Sequence, residues 1–121
     1  MIHDLIQFSI RWKNMHAEFI RCAIAIIDAI PAGKVLTYGA VAVLAGNPRG
    51  ARQVTRVLHS LSGKEGSPWY QVIGARGNRS LPCLEGREEQ AALLRAEGVI
   101  VSDDYQVNLE AFHWREAVVN E

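Results

Sequence analysis

Three arginines carry the most readable chemistry in this 121-residue sequence: Arg49, Arg52 and Arg56 stand at i, i+3 and i+7, close to one line along a helix. A guanidinium is planar, always charged and donates in a fixed fork, so such a row suits phosphate oxygens. Gln53 beside them offers an amide to a base edge. A solvated surface stripe is the plain alternative. Covalent chemistry finds less support. Cys22 and Cys83 form no Cys-x-x-Cys pair, and Cys83 has no histidine near it in sequence to hold a thiolate. His3, His16, His59 and His113 lack metal-ligand spacing, so neither a metal nor a cofactor is expected.

The formal net charge is zero but unevenly spread. Residues 31–80 hold seven bases against one acid, a net of +6, whereas residues 81–121 hold nine acids against three bases, a net of −6. A basic middle is the footprint of a phosphate-binding face, unless the two halves merely neutralise one another across the fold. Hydrophobic content of 49% with 21% charged residues excludes a disordered chain and fits one domain. The longest apolar run, residues 22–27, stops at Asp28, far short of the 18 or so residues a membrane helix needs. His3 and Asp4 replace the basic start of a signal peptide. A reduced, cytoplasmic protein is expected, with no membrane partner.

These residues need elements to position them. Ile20, Ile24 and Ile27 predict a first helix over 17–29, ended by Pro31. Upstream, Leu5, Ile6, Phe8, Ile10 and Trp12 form a second apolar patch, either a separate short helix or an earlier part of the same one. Thr37 is a good N-cap for a short helix over 38–45, with Gly46 as its left-handed stop. A third helix over 50–61 buries Val54, Val57, Leu58 and Leu61 and turns the arginines outward, giving a helix-turn-helix. A strand over 69–73, a helix over 85–97 ending at Gly98, and a hairpin pairing 99–101 with 105–107 follow. Asn108 caps a terminal turn holding Phe112 and Trp114.

Three stretches, in order, resemble the DNA-binding domain of the O6-alkylguanine-DNA alkyltransferases: Ile30-Pro31-Ala32-Gly33-Lys34-Val35-Leu36-Thr37-Tyr38-Gly39-Ala40-Val41-Ala42, Gly46-Asn47-Pro48-Arg49-Gly50-Ala51-Arg52-Gln53-Val54 and Leu93-Leu94-Arg95-Ala96-Glu97-Gly98-Val99. The similarity covers about residues 17–101. Where that family carries Pro-Cys-His-Arg-Val, with the alkyl-accepting cysteine and its histidine, this chain reads Pro68-Trp69-Tyr70-Gln71-Val72, at the family's distance from Arg52. Tryptophan there marks the alkyltransferase-like proteins, whose usual motif is Pro-Trp-His-Arg-Val. The tail from Asn108-Leu109-Glu110 to Trp114 also looks like theirs. The resemblance implies a mainly α fold with a small β element: a winged-helix-like helix-turn-helix domain over 17–121, as in the C-terminal domain of DNA alkyltransferases. Residues 1–16 become an N-terminal extension, with packing or a partner contact as its role.

By the same resemblance Arg52 is the finger that fills the hole left by an extruded nucleotide, and Tyr38 crowds the target phosphate and helps rotate the nucleotide out. Ala51 is small where the helix lies close to DNA; Thr37, Gln53, Arg49 and Arg56 complete the DNA-binding set. Trp69, Tyr38, Tyr70, Val72 and Arg79 make the lesion pocket. Alkyl transfer needs a thiolate and a base, and Trp69 and Tyr70 supply neither, so no catalytic residue is assigned. Glu97, matching the acidic relay residue, has nothing to relay. Core packing remains open for Trp69, and an ordinary helix-start position for Tyr38.

Three features depart from the family. Tyr70-Gln71 replaces the His-Arg pair, Leu61 stands at the hinge asparagine, and the loop 78–83 is one residue shorter. The implied function is a non-enzymatic sensor, a monomer that binds and flips O6-alkylguanine in double-stranded DNA and flags it for nucleotide excision repair proteins. The alternatives are a sequence-reading helix-turn-helix regulator and an active alkyltransferase using Cys83.

Overall fold

The computed structural model describes residues 17–61, 68–74 and 84–119. The extension 1–16, Lys64, Arg79 and Cys83 lie outside the described residues.

Helix α1 spans 17–29. Its buried line is Phe19, Ala23 and Ile27, continued by Ile30, each about a turn from the last. Ile20 and Ile24, expected at the centre of that line, flank it half-buried. The large Phe19 ring takes the centre because it packs on Gly50, where an added Cβ would sit 2.6 Å from Cζ. Pro31 then stops the helix, and Lys34 N–H donates to the Pro31 carbonyl at 3.1 Å across a turn with Gly33 at φ +84°.

Strand β1 (Leu36–Thr37) pairs in parallel with β2 (Val72–Ile73), Leu36 opposite Val72 and Thr37 opposite Ile73. Alternation along the strands sends Leu36 and Val72 into one core, and Val35 and Ile73 into a second. This small sheet therefore divides the molecule. The first core is filled from α1 and the two helices that follow.

Helix α2 (Tyr38–Leu44) begins on Thr37, whose hydroxyl accepts from Ala40 N–H at 3.1 Å. It ends as expected at Gly46: Gly46 N–H reaches Val43 O and Asn47 N–H reaches Ala42 O, the paired bonds of a Schellman motif. Helix α3 (Ala51–Leu61) buries Val54, Val57 and Leu58 against α2 and α1. Helix α4 (Leu84–Ala96) closes the second core and stops at Gly98 with a second such motif, Val99 N–H donating to Leu94 O. Val101 and Val107 pair antiparallel as expected, and the Arg95 guanidinium clamps the Val101 carbonyl at 2.7 Å.

Two expectations need correction. Only residues 72–73 of the expected strand are extended; Trp69–Gln71 is a 3₁₀ turn, closed when Gln71 N–H folds back to Pro68 O at 3.0 Å. The terminal turn stops at Phe112 (helix α5, Leu109–Phe112, capped by Asn108) and does not include Trp114. Val35 donates to Phe112 O at 2.9 Å and accepts from Trp114 N–H at 2.8 Å, which pulls that stretch straight beside β1. An unexpected helix, α6 (Arg115–Val119), follows.

Candidate nucleic-acid interface

Helix α3 presents the arginine line as its spacing predicts. Arg52 and Arg56 are exposed, on the side away from Val54 and Val57, and Arg49 is exposed in the turn that leads in. That turn is held locally, for Asn47 Oδ1 accepts from Arg49 N–H at 3.1 Å and Asn47 O accepts from Gly50 N–H at 2.9 Å. Ala51 and Gln53 are half-buried at its edge. Thr37 is half-buried as well, its hydroxyl engaged in capping α2.

Beneath the helix pair lies the aromatic group. Tyr38 and Trp69, only 9% and 8% exposed, belong to the same core as Val72, and half-buried Tyr70 packs against it. The two rings of Trp69 and Tyr70 meet edge to face, centroids 6.0 Å apart and planes at 88°. Tyr38, Trp69 and Val72 are thus core residues with Tyr70 packed beside them, while Arg79 is outside the described residues.

The Tyr70 phenol donates to Glu97 Oε2 at 2.5 Å, and Glu97 Oε1 accepts from Gly33 N–H at 3.0 Å. Glu97, expected to have nothing to relay, holds the phenol and the Gly33 amide instead. The Tyr70 hydroxyl is a donor, and the carboxylate takes it. The bond to Glu97, with burial and the carboxylate's charge adding to it, pushes the Tyr70 pKa up to about 12. The phenol therefore stays neutral at any physiological pH.

Gln71 is the anchor that sequence reasoning missed. Its side chain is 2% exposed, and its amide donates to the carbonyls of Pro31 (2.7 Å) and Lys34 (2.8 Å). Gln90, buried on α4, likewise donates to Tyr70 O at 3.0 Å and Val72 O at 3.3 Å. Gln71 was visible in the sequence; its partners, 40 and 37 residues away, were not. His113 Nε2 is buried without a hydrogen-bond partner, and burial, with the Arg115 charge second, holds its pKa below the usual histidine value. Among the described residues no three His, Cys, Asp or Glu side chains cluster as metal ligands, and no helix is long and apolar enough to cross a membrane.

Residues 18–99 match the family model described as 6-O-methylguanine DNA methyltransferase, DNA binding domain. A DNA base-flipping protein of Escherichia coli K12 is 46% identical over 89 residues, spanning 74% of this chain and 68% of the relative. Alkyltransferase-like protein 1 of Schizosaccharomyces pombe is 34% identical over 103 residues, 81% of this chain and 95% of that one. The crystal structure of S. pombe Atl1 in complex with damaged DNA containing O6-carboxymethylguanine superposes with a TM-score of 0.75 over 81% of this chain and 95% of Atl1. The chain belongs to the family of the 6-O-methylguanine DNA methyltransferase DNA-binding domain, and within it to the alkyltransferase-like proteins.

Proposed function

We propose that this protein binds duplex DNA at O6-alkylguanine, turns the damaged base out of the stack and leaves it chemically unchanged. The carrying observation is the exposed Arg52 on α3 above a shared core of Tyr38 and Trp69, where an indole stands and no thiol does. The relatives named for base flipping and the Atl1 complex with damaged DNA support the reading.

Unstacking a base costs a few kcal/mol, which phosphate contacts from Arg49, Arg56 and Lys34 would offset. Arg52 enters the vacated place, where its planar fork can bond the orphaned partner base. The alkylated purine packs against Trp69, and aromatic–base contacts of this kind contribute about 1–3 kcal/mol. Trp69 offers no lone pair suited to displacement at the alkyl carbon and Tyr70 stays a neutral, weakly nucleophilic phenol, so the lesion survives and the complex is a flag for nucleotide excision repair proteins. The protein acts as a monomer in the cytoplasm.

A gel-shift comparison of O6-methylguanine and plain duplexes at fixed salt tests this. Roughly tenfold or greater preference for the lesion is expected, in line with the stacking contribution. Equal affinity, or a preferred undamaged site, would instead make the protein a sequence reader. Intact-mass spectrometry after incubation with the methylated duplex should show no methyl gain; a gain on Cys83 would make it an alkyltransferase.

A further inference from the structure

The geometry points to Glu97 as the positioning residue for Trp69, acting through Tyr70, so that the acid keeps a task in lesion recognition although no nucleophile is present. This rests on the proposed reading of Trp69 as the wall of the lesion site.

Trp69 opens a three-residue 3₁₀ turn, a weak element with poor hydrogen-bond geometry. Its ring meets the Tyr70 ring edge to face, and Tyr70 is itself fixed at both ends. Its phenol is held by Glu97, and its carbonyl accepts from Gln90 on α4. Glu97 in turn is tied by its other oxygen to Gly33, in the turn that leads into β1 and Tyr38. Gly33 is constrained there by its φ of +84°, and an added Cβ would come 3.2 Å from the Glu97 carbonyl oxygen. One carboxylate thus joins the strand-side approach to Tyr38 with the turn that carries Trp69. A charge-assisted bond is shorter and stronger than a neutral one, which suits a clamp.

The clamp has a consequence for specificity. With its hydroxyl hydrogen committed to Glu97, Tyr70 meets Trp69 through its ring. The site then selects lesions by apolar packing on a fixed indole, and its discrimination depends on how firmly that indole is held.

The test uses a Trp12→Phe, Trp114→Phe background, in which Trp69 is the sole tryptophan and is excited selectively over tyrosine. Tyr70→Phe removes the hydroxyl while keeping the ring and the Glu97–Gly33 bond. Glu97→Ala removes the whole link. Glu97→Gln keeps it, since the amide oxygen can accept from Gly33 while the NH₂ donates to the phenol oxygen. Tyr70→Phe and Glu97→Ala are expected to increase acrylamide quenching of Trp69. They should also lower the ratio of O6-methylguanine to plain duplex affinity roughly three- to tenfold, the scale of one edge-to-face contact. Glu97→Gln should restore both readouts, which mere damage to the fold would not allow. If the parent protein discriminates but Tyr70→Phe and Glu97→Ala leave the ratio intact, or if Glu97→Gln fails as badly as Glu97→Ala, the positioning role is overturned. If the parent does not discriminate, the proposed function falls, while the quenching series still decides whether the clamp holds the indole.

Discussion

The α2–α3 pair and the Trp69–Gln71 turn, which the proposed function brings to DNA together, are held in opposite ways. The helix pair is built from short-range bonds: Thr37 to Ala40, Asn47 to Arg49 and Gly50, and the Schellman bonds around Gly46. The turn is held from afar, by Glu97, Gln90, Pro31 and Lys34, which lie 20 to 40 residues distant. A phosphate-binding face needs charge in a row, and a local fold supplies that. A site for a single base needs fixed walls, and those depend on the whole domain.

The sharpest way to break this contrast is at Gln71. Gln71→Leu leaves two partly buried carbonyls without their donor, each worth about 1–3 kcal/mol, and frees the turn 31–34. A loss of about 2–4 kcal/mol in urea unfolding is expected, together with weaker lesion preference. A loss below 1 kcal/mol would mean that water replaces the glutamine and that the anchor is incidental.

Smaller in effect, and specific to the helix pair, is a comparison of two arginines. Arg49→Ala should weaken lesion-bearing and plain duplexes alike and reduce the slope of log affinity on log salt by about 0.9, as for one phosphate contact. Arg52→Ala should act mainly on the lesion, lowering preference roughly tenfold, because only the flipped complex has a hole to fill. Equal effects at the two positions would reduce Arg52 to another phosphate contact and remove the finger assignment.

The same contrast explains what the sequence disclosed. Thr37, Gly46 and Gly98 are legible because capping and left-handed stops depend on a few neighbouring residues, and all three stand where expected. The outward line of Arg52 and Arg56 follows from helical period alone. The parallel pairing of β1 with β2 and the straight run beside Val35 are not legible, since each is set by partners that no local pattern names. Trp69–Gln71 reads as a strand by composition and becomes a turn because Gln71 N–H finds Pro68. Glu97 was identifiable only through its resemblance to a relay residue, and tyrosine at position 70 gave it a different partner. The miss at Trp69–Gln71 falls where recognition of the base is proposed, in a turn held by bonds to residues 20 to 40 positions away.

The mildest effect is also the cleanest probe of the clamp, since it leaves the neutral-pH fold untouched. An unfolded tyrosine titrates near 10, and Tyr70 in the fold is pushed up to about 12. The folded protein therefore holds that proton more tightly than the unfolded chain. The stabilisation is complete below pH 10 and is lost as pH rises from there through 12. The advantage of the parent over Tyr70→Phe in chemical unfolding should thus shrink across that window. The chain holds three tyrosines, so the phenolate absorbance is read as a difference between parent and variant. Glu97→Gln removes the negative charge but keeps a bonding partner, and should move the Tyr70 transition back toward 10 without abolishing the stability difference at neutral pH. If parent and Tyr70→Phe instead stay separated by a constant amount from pH 9 to 12, the phenol is not held by Glu97, and the long-range half of the comparison loses its central link.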